Sequence, residues 1–192
     1  MAKKSRPGRL RIVAGKWRSR LLDIADVGGL RPTAERIRET LFNWLAPTIA
    51  GSRCLDLCAG TGALGFEALS RGAREAVFVE KSPLAARVLR ANAVMLDADG
   101  ADIRQGDALE FLGDSPDAPF DIVFLDPPFA AAMHGELCRL LDEHAWVRPG
   151  SLVYIEEDRA APPAELPAGW TLTRSRTAGN VRYSLAKAGN GA

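Results

Sequence analysis

With 192 residues, 47% of them hydrophobic and 26% charged, the chain has enough apolar material for one domain with a real core and is no disordered polymer. No apolar run approaches the ~20 residues of a membrane span, and the start, Met1-Ala2-Lys3-Lys4-Ser5-Arg6, has no apolar stretch behind it, which argues against a secretory signal. The net charge of +1 hides an asymmetry: eight basic residues and no acid lie within 1–20, while the other 17 basic residues face 24 acids over 21–192, a net of −7, so a polyanionic partner is expected for the amino-terminal arm.

In chain order, Arg11–Gly15 and Arg20–Ile24 read as two short strands around Gly15-Lys16-Trp17, a hairpin that carries cations and an aromatic. Thr33 then reads as the N-cap of a helix whose Ile37, Leu41, Trp44 and Leu45 share a face and which Pro47 ends. A regular alternation follows. Strands are expected at 53–57, 75–80, 101–105, 120–126 and 151–156, and helices at 63–71, 83–96, 108–112 and 130–144. Such spacing implies a parallel sheet with helices on both faces. The chain closes differently, with strands at 170–176 and 181–186 joined by Ala178-Gly179-Asn180, a hairpin that forces one terminal strand to run antiparallel. The expected organisation is an arm and hairpin over 1–30, an α/β domain over 31–188 and a short tail over 189–192. The three cysteines, Cys54, Cys58 and Cys138, have no metal-ligand spacing and are expected to be reduced thiols of a cytoplasmic protein, with no metal site. His134 and His144 read as ordinary surface or packing residues.

The first βα turn, Asp56-Leu57-Cys58-Ala59-Gly60-Thr61-Gly62-Ala63-Leu64-Gly65, contains G-x-G-x-x-G, whose glycines let backbone approach a ligand at a helix N-terminus. Glu80 stands 20 residues after Gly60, at the end of the second strand, where an acid binds ribose hydroxyls in dinucleotide and S-adenosylmethionine sites alike. Asp56, directly before the glycines, would repel a diphosphate and attract a sulfonium with an ammonium group. Asp107 and Asp126 also follow strands, so four acids are expected around one crevice, although each of them could simply cap the next helix.

The sharpest feature is Asp126-Pro127-Pro128-Phe129 after the apolar strand 122–125. Two prolines fix two φ angles and remove two donors, and the residue before a proline is held extended. The result is a stiff rim of acceptors, the Asp126 carboxylate and the Pro127 carbonyl, beside a flat aromatic. An exocyclic amine of a base, with two N–H groups and a ring to stack, fits such a rim.

Together these motifs resemble the class I S-adenosylmethionine-dependent methyltransferases that modify amino groups of bases, whose fold is a Rossmann-like, mostly parallel seven-stranded sheet. The segment Arg31-Pro-Thr-Ala-Glu-Arg36-Ile-Arg38-Glu39-Thr-Leu-Phe42-Asn43 and the stretch Arg11–Arg18 resemble the RsmD-type ribosomal RNA (guanine-N2) methyltransferases in particular, over about residues 9–186. The resemblance implies methylation of one guanine N2 in 16S ribosomal RNA, free or in an assembling small subunit, by a monomer. It implies that Asp56, Ala59, Gly60 and Gly62 floor the methionine side of the cofactor, that Glu80 with Lys81 meets the ribose, and that Asp107 and Ala108 flank the adenine. Asp126 would touch both cofactor and base, and Thr33, Arg36 and Glu39 would close the pocket. Arg9, Arg11, Lys16, Trp17, Arg18 and Arg31 would bind RNA. An adenine-N6 methyltransferase shares the Asp-Pro-Pro-aromatic motif. A nicotinamide-dependent oxidoreductase and a catalytically dead RNA-binding module remain as other classes.

Overall fold

A computed structural model of the chain describes residues 8–28, 30, 32–128 and 133–189. The elements run β1 (Arg9–Arg11), β2 (Leu21–Asp23), α1 (Glu35–Leu45), β3 (Arg53–Leu57), α2 (Ala63–Ser70), β4 (Glu75–Glu80), α3 (Pro83–Leu96), β5 (Ala101–Gln105), α4 (Ala108–Leu112), β6 (Phe120–Leu125), α5 (His134–Glu143), β7 (Val147–Asp158), β8 (Thr171–Ala178) and β9 (Val181–Lys187).

The apolar strands β3, β4 and β6 are buried almost throughout, as a parallel sheet covered on both faces requires. Seven strands pair in the order β5-β4-β3-β6-β7-β9-β8. The pairs from β5 to β7 are parallel, and β9 is antiparallel to both of its neighbours. The expected antiparallel strand is therefore β9, the last in the chain, inserted one place in from the edge that β8 forms. One face of the sheet packs against α1, α2, α3 and the amino-terminal hairpin, with Cys54, Phe78, Ile122, Phe124, Tyr154 and Tyr183 pointing toward them. The other face packs against α4 and α5 through Leu55, Leu57, Val123, Leu125, Val153 and Ile155. Among the described residues no helix is long and apolar enough to cross a membrane.

The structure departs from the sequence reading at several boundaries. The first hairpin strand is Arg9–Arg11, not Arg11–Gly15. Beyond Ile12 the backbone leaves its partner strand, because the amides of Val13 and Ala14 donate to the Glu67 carboxylate at 2.8 and 3.0 Å, and that of Lys16 to the Ser70 carbonyl at 2.7 Å. Thr33 does not cap α1. The cap position falls on Ala34, which makes no side-chain bond, and the Thr33 hydroxyl is used elsewhere. β7 starts at Val147, four residues before the expected strand, across a register irregularity between Phe120 and Ile122 that accommodates Pro149-Gly150. α5 begins at His134 rather than 130. Residues 129–132 lie outside the described residues.

The hairpin is fastened to the body by a buried ion pair. Glu67 on α2 and Arg38 on α1 are 0% and 2% exposed and meet at 3.2 Å. Arg38 also donates to the carbonyls of Arg11 and Thr33, and Arg71 donates to the second Glu67 oxygen at 2.7 Å. Gly15 has φ +84°, and a Cβ there would lie 1.8 Å from the Ser70 carbonyl oxygen, so only glycine permits this contact.

Candidate active site at the carboxyl ends of the central strands

From β3 the sheet grows outward to β4 and β5, then returns to build β6 and β7 on the other side. The two directions part between β3 and β6, and a crevice at the carboxyl ends of these strands is where an open α/β sheet binds ligands. The turn after β3 enters this crevice with left-handed backbone at Cys58, Gly60 and Gly62. At Gly62 a Cβ would come within 2.6 Å of both Leu89 and Phe66, so the turn packs against α3 without room for a side chain.

The acids expected around the crevice hold this turn in shape. Asp56, 2% exposed, accepts from the Gly65 amide at 2.9 Å and thereby serves the first turn of α2, which has no side-chain cap of its own. One oxygen of Glu80 accepts from Gly60 N and the other from Ser82 N, both at 2.7 Å, tying the glycine turn to the end of β4. Burial pushes the Asp56 carboxyl well above the usual range, with Asp126 and Glu80 adding repulsion, so the three carboxyls share one electrostatic neighbourhood. Asp107 is the N-cap of α4, accepting from Leu109 N at 2.9 Å, and it binds Lys81 at 3.0 Å. Its hydrogen bond to that ammonium lowers the Asp107 carboxyl below its ordinary value. Lys81 is thus engaged with Asp107 from an exposed position, while Ala59 and Ala108 are buried in the walls.

The donor set fits S-adenosylmethionine. Three carboxyls at or near strand ends repel one another, and the exposed Lys81 is already paired with Asp107, so a cation-bearing ligand would relieve this repulsion and a diphosphate would add to it.

Asp126 follows β6 directly, with Pro127 buried and Pro128 exposed; Phe129 lies outside the described residues. Its Oδ2 accepts a hydrogen bond from Thr33 Oγ1 at 3.1 Å. Burial, and then the charge of Glu156, push the Asp126 carboxyl up to about 7, against which the Thr33 bond acts weakly. Glu156 was not anticipated. Leu125 pairs with Ile155, so Asp126 and Glu156 are next in register on adjacent parallel strands. Glu156 is 5% exposed, accepts from Tyr154 OH at 2.7 Å, and has its backbone carbonyl against His134 Nε2 at 2.8 Å. The signal was present, since Glu156 ends an apolar strand just as Asp126 does. Arg38 was missed as well, although a charge on the apolar face of α1 among Ile37, Leu41 and Leu45 marks a buried partner.

The other expected site residues lie on α1 and the amino-terminal segment. Arg36 and Glu39 are exposed on α1. Trp17 is 8% exposed and belongs to the core, with its amide bonded to Ser70, so it anchors the hairpin instead of offering a face for stacking. Arg9 and Arg11 are exposed beside Asp23 and Glu35 at 3.6 and 3.8 Å, and Lys16 and Arg18 are exposed. Arg31 lies outside the described residues. Cys54, Cys58 and Cys138 are free thiols, and burial raises each to about 12. No metal-ligand cluster occurs among the described residues.

Comparison with known proteins agrees with this architecture. The family described as "Conserved hypothetical protein 95" matches residues 10–187. Ribosomal RNA small subunit methyltransferase D of Escherichia coli is 43% identical over 178 residues, covering 93% of this chain and 89% of the relative. The Haemophilus influenzae protein of the same name is 43% identical over 181 residues, covering 93% of each chain. A solved structure of a candidate methyltransferase from Escherichia coli, 41% identical, superposes with a TM-score of 0.86 over 95% of this chain and 99% of its own. The chain belongs to the ribosomal RNA small subunit methyltransferase D family of S-adenosylmethionine-dependent methyltransferases.

Proposed function

We propose that this chain methylates the exocyclic N2 amine of a guanine in 16S ribosomal RNA, with Asp126 as the residue that holds the amine. The observation that carries this reading is a half-buried carboxyl directly after β6, followed by two prolines and set in the same crevice as Asp56 and Glu80.

When bound, S-adenosylmethionine supplies a methyl group activated by a sulfonium sulfur, so the reaction calls on no metal. Asp56 and the Gly60–Gly62 turn receive the methionine portion, Glu80 the ribose hydroxyls, and Asp107 with Ala108 the adenine side. The guanine amine is a poor nucleophile because its lone pair is delocalised into the ring. Asp126 and the Pro127 carbonyl accept its two N–H groups and turn the lone pair toward the methyl carbon. Orientation of this kind supplies up to ~7–11 kcal/mol in favourable cases, and acceptors aimed at the positive charge growing on nitrogen stabilise the transition state. As the N–C bond forms, one N–H proton leaves to Asp126. The base must leave its stack, which costs least in a single-stranded loop. The exposed cations Arg9, Arg11, Lys16 and Arg18 serve the RNA backbone, and the enzyme works as a cytoplasmic monomer on free 16S RNA or on an assembling small subunit.

Replacing Asp126 with alanine is expected to abolish methyl transfer, by at least ~100-fold, while S-adenosylmethionine binding measured by calorimetry stays within a few-fold of wild type. Near-normal turnover in that variant removes Asp126 from the mechanism.

A further inference from the structure

Two carboxyls, half-buried Asp126 and buried Glu156, stand side by side at the reacting end of the sheet, and methyl transfer uses just one of them. We infer that Glu156 and Asp126 act as one proton-sharing pair, in which Glu156 is a positioning residue that keeps Asp126 an avid acceptor for the proton leaving the amine. The inference rests on Asp126 being the amine's acceptor.

The geometry comes from the sheet. β6 and β7 run parallel with Leu125 opposite Ile155, which sets Asp126 and Glu156 beside each other on the face that also carries Phe124 and Tyr154. Groups facing Asp126 come from every element around it: Thr33 before α1, Asp56 and Cys58 at the end of β3, Tyr154 and Glu156 on β7, and Tyr183 on β9 beyond Tyr154. Among the described residues no basic side chain forms an ion pair with either carboxyl. Two like charges this close in a desolvated site cannot both be carried easily, so one proton remains with the pair.

Two hydroxyls serve the pair, with Thr33 acting on both carboxyls. Tyr154 donates to Glu156 at 2.7 Å and Thr33 donates to Asp126 at 3.1 Å. Burial raises the Glu156 carboxyl, the Tyr154 and Thr33 hydroxyls act against that rise by favouring its charged form, and the charge of Glu156 in turn raises Asp126. Tyr154 is itself fully buried and its hydroxyl pushed well up, so it stays protonated as a donor. His134 holds the Glu156 backbone from the α5 side. The arrangement makes Asp126 a stronger base than an isolated strand-end aspartate, which suits a group that must take a proton from nitrogen near neutral pH.

The test is the pH dependence of single-turnover methyl transfer to small ribosomal particles by the full chain. In wild type the rate should rise with pH through about 7 as Asp126 ionises, then level off. In Glu156→Gln that rise should move to lower pH by about one unit, since the neighbouring negative charge is gone. Tyr154→Phe should move it the same way by a smaller amount, because Glu156 without its donor holds the proton more readily. Glu156→Asp should restore most of the wild-type profile, and the KM for S-adenosylmethionine should be unchanged throughout. Carboxyl-carbon NMR titration of Asp126 in the free protein reads the same pair without RNA or cofactor. Should wild type transfer no methyl group to guanine, the functional reading fails and this titration still decides the pairing. An acid limb and an Asp126 titration that stay in place in both Glu156→Gln and Tyr154→Phe overturn the proposal.

Discussion

Asp126 shows how one residue combines function with a stability cost. Its half-buried carboxyl directly follows β6 and is raised from 3.8 to about 7 by desolvation and by Glu156. The folded chain therefore holds this proton more tightly than the unfolded chain. The group's contribution to stability is fully present below the unfolded value near 4 and is lost as pH rises through about 7. Asparagine carries no charge at either end of that window and can still accept from Thr33. Asp126→Asn should accordingly melt progressively higher relative to wild type between pH 5 and pH 8, with the difference growing by at least ~3 °C in thermal scans. A difference that stays constant across this range would mean the carboxylate is not penalised in the fold. The importance of Asp126 was legible from its sequence context, an acid between an apolar strand and two prolines. The shift was not, because it depends first on desolvation by the packed strand ends and then on Glu156, thirty residues away in the chain and adjacent through strand pairing alone.

At the scale of elements, the hairpin is attached by polar contacts as much as by apolar ones. Glu67 receives two hairpin amides and two arginines at once, and Arg38 reaches both the Arg11 carbonyl and the Thr33 carbonyl. The same arginine thus touches the hairpin and the residue whose hydroxyl binds Asp126. Glu67→Ala leaves Arg38 buried without its partner and should destabilise the protein by ~3–5 kcal/mol in urea unfolding, with proteolysis in the hairpin after Arg18 or Arg20 appearing at lower urea than global unfolding. A loss under ~1 kcal/mol, the size expected of exposed pairs, contradicts the anchoring role. Helix α1 was readable because its 3.6-residue period is local, and strands β3, β4 and β5 because their boundaries are set by flanking glycine and polar residues. The hairpin's ends were not. Val13 and Ala14 have strand-like sequence, yet their amides find a better acceptor in Glu67 on another element. Thr33 likewise has the side chain of an N-cap, but its hydroxyl is taken by Asp126.

The whole molecule separates two tasks. A parallel sheet with a switch between β3 and β6 concentrates carboxylates around a crevice, while exposed cations of the amino-terminal segment sit on a body of net negative charge. This division was legible from composition and from the alternation of strands and helices. The place of β9 between β7 and β8 was not, since a hairpin in sequence does not say which of its strands joins the sheet first. The central claim, that the acceptor rim at Asp126 serves a guanine amine, is most directly tested by mapping the product. Small ribosomal particles from cells lacking this protein, incubated with the purified chain and methyl-labelled S-adenosylmethionine, should yield label in N2-methylguanosine at a single position of 16S RNA, and none with Asp126→Ala. Label recovered in N6-methyladenosine, or N2-methylguanosine formed equally well by the alanine variant, would contradict the account.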